Sequence, residues 1–314
     1  MSNVTFLWIF SRGIELGVIV VCIFLLRVLF RRKVPRLFSY LLWAALPINI
    51  VCSFLLKVES NHTYHVVIVH QTPIIFIDEY VVRIMKRCWM CGTVLVVLGL
   101  AFSYVRFLRS LVGCIRLQKG VYLADRIHAP FTMGLLCPKI YLPVSLKKQY
   151  YEYVILHERV HISRKDVWMK YLAVGFLGLF WFQPLLWFAC CLFMNDMEEA
   201  CDESVIRKES IEFREEYARA LVEVSFHAAK VRGAALGYGN GAIKSRIRNI
   251  MNYKQIRLRG HLATITICLL FLGASVLISW QVPRMMQRIK NDENKSSIMT
   301  FQQQGTGKDV IIEK

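Results

Sequence analysis

Four apolar segments constrain the fold of this chain more than any other feature of its sequence. A helix needs roughly 20 apolar residues to cross the hydrocarbon layer of a bilayer, and each segment is about that long. With 55% hydrophobic residues and a mean hydropathy of +0.41, the chain is too apolar for an ordinary soluble domain. The segments, at about Gly13–Phe30, Leu37–Leu56, Cys88–Leu108 and Leu262–Trp280, predict a membrane protein.

Positive charge is concentrated beside these apolar segments. The chain carries 40 Lys and Arg against 22 Asp and Glu, a formal net charge of +18. Such a balance can indicate nucleic-acid binding, but Lys and Arg also flank membrane spans on the cytoplasmic side, where they meet anionic lipid. Basic clusters at 31–36 and 106–119 follow the first and third segments, and one at 244–259 precedes the last. We therefore expect contact with the lipid bilayer and no direct contact with nucleic acid.

The basic clusters also predict a topology. Placing all three on the cytoplasmic side gives four spans with both chain termini outside the cell. The chain then divides into three spans at 1–119 with an extracellular loop at about 57–87, a cytoplasmic domain at 120–260, a last span at 261–281, and a short extracellular polar tail at 282–314.

The cytoplasmic domain contains a pattern typical of zinc enzymes. In His157-Glu158-Arg159-Val160-His161 the histidines are four residues apart, which places both imidazoles on one face of a helix. We predict such a helix from about Leu146 to Ser163, with Ser145 as its N-cap. Zinc suits two neutral imidazoles and a carboxylate, with a fourth position for water, and Glu158 is placed to take a proton from that water. The alternative is a solvated helix face whose histidines bind nothing.

An acidic cluster further along the chain supplies candidates for the third ligand. Glu198-Glu199-Ala200-Cys201-Asp202 has Glu198 and Asp202 four residues apart, again on one helical face. Glu198 is a candidate ligand, and Asp202 can accept a hydrogen bond from the far nitrogen of a ligand histidine and so fix its orientation. Spacing alone does not choose between Glu198 and Glu199, and three acids in five residues also suit an exposed helix face.

The apolar stretch between these two motifs does not fit a simple span. Tyr171–Met194 is long enough to cross the bilayer, yet it separates His161 from Glu198. Ligands of one metal ion must lie on the same side of the membrane, so the stretch must enter and return. Proline removes a backbone donor and disfavours helix at the residue before it. We therefore predict a membrane-embedded helical hairpin at about 171–194 that breaks near Gln183-Pro184.

The residues before the motif helix predict a pair of strands. In the run at 129–143, apolar and β-favouring residues surround the turn formers Gly134 and Pro138. A strand at the edge of a sheet offers unpaired backbone groups to an extended peptide. We predict Phe131 and Thr132 as substrate-binding residues at such an edge.

These motifs together resemble those of the integral-membrane metallopeptidases that include the BlaR/MecR β-lactam sensor-transducers. The likeness covers about Pro130 to Tyr253 and rests on the order and spacing of several segments. They are Phe131-Thr-Met-Gly-Leu-Leu-Cys-Pro-Lys-Ile-Tyr-Leu-Pro143, the HExxH run with Asp166 shortly after, Trp181-Phe-Gln-Pro-Leu-Leu-Trp187, the Glu-x-x-Cys-Asp motif at Glu198, Cys201 and Asp202, Tyr217-Ala-Arg-Ala-Leu221, and Lys244-Ser-Arg-Ile-Arg-Asn-Ile250. The resemblance selects Glu198 over Glu199 as the ligand.

Two features depart from the family's pattern. The family usually has Asn before the Pro where this chain has Gln183. The sensor-transducers also carry a large extracellular penicillin-binding domain after the last span, whereas the tail from Gln281 to Lys314 has no room for such a domain or its Ser-x-x-Lys nucleophile. Direct β-lactam sensing is therefore not expected.

The motifs and the resemblance together imply a multi-span α-helical membrane protein with a small α+β, gluzincin-like HExxH zinc metallopeptidase domain at the cytoplasmic face. They imply one Zn²⁺ per chain, held by His157, His161 and Glu198, with Glu158 as the catalytic base and Asp202 behind the ligands. The expected activity is regulatory cleavage of a protein substrate, such as a winged-helix repressor or the chain itself. A homodimer is left open.

Two other interpretations use the same residues. Housekeeping proteases that degrade misfolded membrane proteins also combine HExxH with a Glu-x-x-x-Asp pair, but they lack the Cys before the Asp and the Trp-x-x-Pro hairpin. A non-enzymatic membrane transducer could hold a structural metal, which is normally closed by a fourth protein ligand. Cys201 is the nearby candidate for that ligand.

Overall fold

A computed structural model describes residues 3–30, 34–59, 79–232, 238–253 and 266–274. The tail predicted at 282–314 lies outside these residues. Most of the predicted last span, and residues 60–78 of the predicted extracellular loop, lie outside them too.

Long apolar helices dominate the first third of the chain. They are α1 (Asn3–Phe30), α2 (Arg36–Leu42), α3 (Ala45–Glu59) and α4 (Glu79–Ser110). Among the described residues, three helical stretches are long and apolar enough to cross a membrane: Ile9–Phe30, Arg36–Ser53 and Tyr80–Ser110. They coincide with the first three apolar segments of the sequence.

Helix α4 begins earlier than the sequence predicts. The predicted loop at about 57–87 leaves the residues before Cys88 outside the third span, whereas α4 starts at Glu79. The stretch that is added, about two and a half turns, contains several apolar residues, and Val82 within it is buried. Helical structure therefore extends into residues that are predicted as loop.

The chain forms two compact units. The first comprises Met1–Trp43 and Val66–Ile265, and the second comprises Ala44–His65 and Thr266–Lys314. In its described part, the second unit consists of α3 and a helical stretch at 266–274. All of the predicted site residues belong to the first unit.

A small mixed sheet follows α4. Its strands are β1 (Ile115–Gln118), β2 (Val121–Ala124), β3 (Phe131–Met133) and β4 (Lys139–Pro143), in the order β1-β2-β4-β3. The antiparallel pairing of β3 with β4 confirms the predicted strand pair. The sequence does not predict β1, β2 or the parallel pairing of β2 with β4.

The turn between β3 and β4 depends on Gly134. Its φ is +111°, a conformation that L side chains rarely adopt, and a Cβ at this position would lie 2.6 Å from the carbonyl oxygen of Cys137. The turn holds β3 against β4 at the end of the strand order. Within the described residues, the other edge of β3 has no strand beside it.

Helix α5 (Tyr151–Ser163) carries the HExxH run and packs against the sheet. The apolar faces of β2, β4 and α5 share one core, formed by Val121, Ile140, Leu142, Leu146, Val154 and Ile155. The opposite face of α5 is thereby left to carry the polar site.

The predicted start of this helix at Leu146, with Ser145 as its N-cap, is wrong. Helix α5 starts at Tyr151, after a 3₁₀ turn at Lys148–Tyr150. The Leu146 side chain is held in the core, and its amide donates to the Pro143 carbonyl at 3.1 Å. This stretch therefore continues the turn that follows β4 instead of opening the helix.

Helices α6 (Asp166–Leu179) and α7 (Pro184–Ile206) form a hairpin whose turn lies at residues 180–183. Pro184 opens α7, where its missing N–H leaves no helical hydrogen bond unmade. The Gln183 side-chain amide donates to the Gly13 carbonyl of α1 at 3.0 Å, which fixes the turn against α1. Helix α7 then carries Glu198 back to α5.

Two further helices complete the described part of the first unit. Helices α8 (Ile211–Arg232) and α9 (Tyr238–Met251) pack on the end of α7 through a core that contains Val205, Ile206, Tyr217, Ala218, Leu221 and Ile250. Helix α9 begins within the glycine-rich run at 233–241, at Tyr238. Residues 233–237 lie outside the described residues.

Candidate metal centre

Three electron-pair donors converge between α5 and α7. The Nε2 atoms of His157 and His161 lie 3.2 Å apart, one helical turn from each other. One carboxylate oxygen of Glu198 is 3.2 Å from His157 Nε2, and the other is 3.5 Å from His161 Nε2. Both histidines are buried, whereas the Glu198 side chain is partly exposed.

Hydrogen bonds on the opposite side of each ring orient both imidazoles. His161 Nδ1–H donates to Asp166 Oδ2 at 2.7 Å. His157 Nδ1–H donates to the Tyr217 hydroxyl at 2.7 Å, and that hydroxyl donates to Asp202 Oδ1 at 2.6 Å. With a proton on each Nδ1, each Nε2 keeps its lone pair and directs it towards Glu198.

Asp202 acts through Tyr217, which corrects the predicted direct hydrogen bond to a ligand histidine. The distance from Asp202 Oδ1 to His157 Nδ1 is 3.4 Å, and the Tyr217 hydroxyl bridges the two. The reason is that α8 inserts the fully buried Tyr217 side chain between α5 and α7. Asp202 is thus linked to His157 through one intervening side chain, that of Tyr217.

The donor set fits a divalent metal ion. Two imidazole lone pairs and a carboxylate face one another, and this is a ligand set typical of catalytic zinc. The surrounding charge favours a cation as well. Burial lowers the pKa of His161, but Asp166, Cys201 and Glu198 outweigh burial and raise that pKa well above its usual value.

Arg246 on α9 forms ion pairs with two carboxylates of this site, those of Asp202 and Glu198. It donates to both oxygens of Asp202, at 2.7 and 2.8 Å, and its Nη1 lies 3.2 Å from Glu198 Oε2. Burial alone would raise the pKa of Glu198, but Arg246 and the two imidazoles hold it well below its usual range. The lowered pKa favours the ionised carboxylate, which is the form that binds metal ions.

Cys201 lies close to both histidines, and the three could form a ligand group of their own. Its sulfur, however, is 3.5 Å from His157 Nδ1, the nitrogen that already donates to Tyr217. Cys201 and Glu198 therefore approach opposite edges of the His157 ring. Both Nε2 atoms face the Glu198 carboxylate, so on that side two imidazoles and a carboxylate face one another.

Glu158 lies on α5 between the two histidines and is 5% exposed. Its Oε2 accepts a hydrogen bond of 2.7 Å from the Thr132 hydroxyl of β3. Side chains alternate along a strand, so the neighbouring Phe131 packs elsewhere, stacked on Tyr141 and against Phe107. Thr132 thus links the free edge of the sheet to the predicted base.

Glu199 has different partners from Glu198. One of its oxygens accepts from the Ser245 hydroxyl at 2.8 Å, and the other lies 3.3 Å from an Arg36 nitrogen. The structure therefore puts Glu198, and not Glu199, beside the imidazoles. Adjacent residues on a helix point about 100° apart, so only one of the two can face α5.

Several residues of the site are not identified as such by the sequence analysis. Asp166, Tyr217 and Arg246 are present only as members of the segments on which the family resemblance rests. Arg246 is one of many basic residues between 244 and 259, so nothing in the sequence separates it from its neighbours. For Tyr217 a signal exists, because a polar aromatic residue on the apolar face of α8 needs a buried hydrogen-bond partner.

Comparison with known proteins defines the family. Residues 7–250, well over half of the chain, match the profile of the BlaR1 peptidase M56 family. The chain belongs to this family. Among curated relatives of the M56 peptidase, "Methicillin resistance mecR1 protein" of Staphylococcus aureus is 26% identical over 183 residues, which are 56% of this chain and 31% of the relative. "Regulatory protein BlaR1" of Bacillus licheniformis is 27% identical over 151 residues, which are 45% of this chain and 25% of the relative.

The chain thus matches less than a third of the length of these relatives. The match identifies an M56 peptidase domain. The described residues are mostly helical and include three apolar stretches long enough to cross a membrane. The resemblance inferred from the motifs is confirmed by the family match.

Proposed function

We propose that this M56 peptidase is a membrane-embedded, zinc-dependent endopeptidase that cleaves a protein substrate in regulatory signalling. One observation carries the proposal. The Glu158 carboxylate, held by Thr132, lies on the same helix as the two histidines whose Nε2 atoms converge with Glu198. A general base beside three metal ligands is the arrangement that metal-assisted peptide hydrolysis requires.

Each residue of the site has a separate role in the proposed hydrolysis. His157, His161 and Glu198 would hold one Zn²⁺, which when bound lowers the pKa of a coordinated water to about 7. At one carboxylate oxygen, Glu158 would take up the proton of the water that attacks the peptide carbonyl, and it would return that proton to the nitrogen of the leaving amine as the C–N bond breaks. The Thr132 hydroxyl orients this carboxylate.

A catalytic metal is favoured over a structural one. Structural zinc sites are closed by four protein ligands, whereas catalytic sites keep one position open. The sulfur of Cys201, the candidate for a fourth ligand, contacts His157 at Nδ1, whereas Glu198 contacts the same ring at Nε2. This position supports a site of three protein ligands with room for water.

The free edge of β3 is a suitable surface for a substrate backbone. Phe131 and Thr132 lie on this edge strand, and the Thr132 hydroxyl contacts the proposed base. An extended peptide that added to β3 would pair its backbone with the strand. Its scissile bond would then lie close to Glu158.

The proposed topology has four spans, with both termini outside and the peptidase domain facing the cytoplasm. The α6–α7 hairpin supports the central feature of this topology, because the chain turns at 180–183 and returns Glu198 to His161. A regulatory role is supported by the names of the relatives, one a methicillin-resistance protein and one a regulatory protein. By analogy, a winged-helix repressor or the chain itself is the proposed substrate.

The hydrolytic step is tested with the zinc-loaded full chain in lipid nanodiscs. β-Casein serves as an unfolded protein probe, and self-cleavage is followed on the same gels by mass spectrometry. We expect cleavage by the wild-type chain and a loss of at least about 100-fold in Glu158→Gln, with the zinc content unchanged. Equal cleavage by both proteins would contradict the role of Glu158.

The regulatory role is tested in cells by N-terminal proteomics. Cells that produce the wild-type chain are compared with cells that produce Glu158→Gln. New N-termini confined to a repressor or to the chain itself would support signalling. A broad set of cleaved membrane proteins would instead indicate housekeeping proteolysis and contradict the proposal.

A further inference from the structure

An open groove of about 550 Å³ lies beside the free edge of β3. Its walls are the last turns of α4, the first half of α6 and the loop that leads into β3. We call it the α4–α6 groove. The family match and the relatives' names say nothing about it.

The lining of the α4–α6 groove is apolar and aromatic. Tyr104 and Phe107 project from α4, and Tyr171 and Val174 from α6, with Phe131 at the β3 end. Tyr104, Tyr171 and Val174 are exposed. Such a surface favours a ligand with a large apolar or aromatic side chain.

The charged residues that line the groove are cationic. Arg126 and Lys170 line it together with His128, and no Asp or Glu does. Within the part of the chain that the structure describes, neither Arg126 nor Lys170 has an acidic partner within 4.0 Å. A lining with cationic residues and without an acidic one complements an acidic ligand.

The groove also connects to the proposed base. Thr132 lines it and donates to Glu158, and Val167 lines it one residue after the Asp166 that holds His161. A chain lying in the groove along β3 would thus pass the metal centre. An elongated ligand with backbone hydrogen-bonding groups uses this geometry best.

We propose that the α4–α6 groove binds an extended segment of the protein substrate in which an aromatic side chain is flanked by acidic residues. The inference rests on the proposed function, because it assigns the substrate class of the same site. The aromatic side chain packs between Tyr104 and Tyr171, and the acidic residues pair with Arg126 and Lys170. The backbone of the segment adds to the free edge of β3.

A phospholipid is the competing occupant, since α4 and α6 are apolar and an anionic headgroup would also pair with Arg126 and Lys170. The peptide explains more of the groove. The acyl chains of a lipid have no backbone groups that could pair with the free edge of β3. A lipid would also not explain why Thr132, which lines the groove, contacts Glu158.

The test measures binding by the full chain as the zinc-loaded Glu158→Gln variant, in phosphatidylcholine nanodiscs. The probes are three fluorescein-labelled 12-residue peptides that are identical except at the centre: Asp-Phe-Asp, Lys-Phe-Lys and Asp-Ala-Asp. We expect the first to bind about tenfold more tightly than either of the others. Adding Arg126→Gln and Lys170→Gln should weaken its binding by about three- to tenfold and remove the charge preference. Lys208→Gln, at an exposed lysine beyond the end of α7, is the matched control and should change nothing.

Three outcomes would overturn the proposal. The first is equal binding of the three peptides, and the second is unchanged binding after the double substitution. The third is the loss of all peptide binding when phosphatidylglycerol replaces part of the lipid. That third outcome would identify a lipid as the occupant. Because this variant reports binding alone, a charge preference that the double substitution removes would support the groove even if the wild-type chain cleaved nothing. Failure of the groove is thereby distinguished from failure of the proposed function.

Discussion

At the scale of single residues, the site depends on two different ways of holding an imidazole. Asp166 accepts directly from His161, whereas Tyr217 relays the hydrogen bond of His157 to Asp202. Asp166 and Asp202 are both buried, with polar partners around them. In each case the partner fixes which ring nitrogen carries the proton, and so which lone pair can bind a metal.

The ligands themselves are tested by metal content. His157→Ala and Glu198→Ala each remove one of three proposed ligands, so purified protein should fall from about one zinc per chain to substoichiometric zinc. Metal analysis by mass spectrometry provides the measurement. Glu199→Ala is the matched control, because the Glu199 carboxylate contacts Ser245 and Arg36 instead of the imidazoles. Stoichiometric zinc in His157→Ala would show that the assignment is wrong.

Tyr217→Phe tests the relay behind His157. The substitution keeps the ring but removes the hydroxyl, which leaves His157 Nδ1 and Asp202 Oδ1 without their shared partner. We expect the zinc affinity to fall by about 10- to 100-fold, as for other residues behind metal ligands, in competition with a chromophoric chelator. Tyr153→Phe, in the packing around the same core, should leave the affinity unchanged. Equal affinity in all three proteins would exclude a role for the relay.

The sequence predicts the site residues that are close together in the chain better than those that reach the site from distant helices. His157, Glu158 and His161 are fixed by the helical period, so the motif alone predicts their shared face. Glu198 and Glu199 differ only in the direction in which they point from the axis of α7. Which of them faces α5 depends on how α7 is rotated about that axis. Tyr217 and Arg246 reach the site from α8 and α9, and no spacing within those helices refers to His157.

At the scale of elements, α1 and α2 hold the helices that carry the ligands. Tyr40 of α2 donates to Asp166 at 2.7 Å, which in turn orients His161. Arg27 of α1 pairs with Asp196, two residues before Glu198 on α7. Two stretches long enough to cross a membrane are thus tied to the site, one through Asp166 and the other through Asp196.

The pair between Arg27 and Asp196 gives a stability prediction. The Asp196 side chain is 3% exposed, so Arg27→Leu would leave a buried carboxylate with Trp43 as its remaining polar partner among the described residues. Breaking a buried pair from one side costs up to about 3 kcal/mol, and we expect a lower Tm in detergent. Arg27→Leu combined with Asp196→Asn should recover most of the loss, whereas Arg109→Leu at the end of α4 should have little effect. A Tm unchanged by Arg27→Leu would contradict a stabilising role for the pair.

Elements are predicted from sequence where they are long and periodic, and missed where they are short. The strand pair β3–β4 is marked by Gly134 and Pro138, so the sequence indicates it. Strand β1 has four exposed residues and a bulge, and β2 follows after a two-residue turn, so neither shows a periodic apolar pattern. Parallel pairing of β2 with β4 joins residues 19 positions apart (Val121 with Ile140), a contact that local propensity does not encode.

At the scale of the whole molecule, the arrangement of the first unit follows from one requirement. If the two ligand motifs bind one ion, as proposed, they must meet, and an apolar stretch between them that crossed once would hold them apart by roughly 30 Å of hydrocarbon. The α6–α7 hairpin meets this requirement, with its turn anchored to α1 through Gln183. Charge distribution predicts the side of the membrane, because basic clusters flank the apolar helices.

The proposed topology is tested by cysteine accessibility in intact cells. Single cysteines are introduced as Lys165→Cys, before α6, and as Arg207→Cys, after α7, in a background without the native cysteines other than the fully buried Cys201. Because the hairpin returns to its side of entry, an impermeant thiol reagent should label neither of them until the membrane is permeabilised. Ser297→Cys, in the tail outside the described residues, should be labelled without permeabilisation, since the proposed last span carries the chain outward. Labelling of Arg207→Cys but not Lys165→Cys from outside would mean that the stretch crosses the membrane once. His161 and Glu198 would then lie on opposite sides of the bilayer, and the shared metal site would be refuted together with the topology.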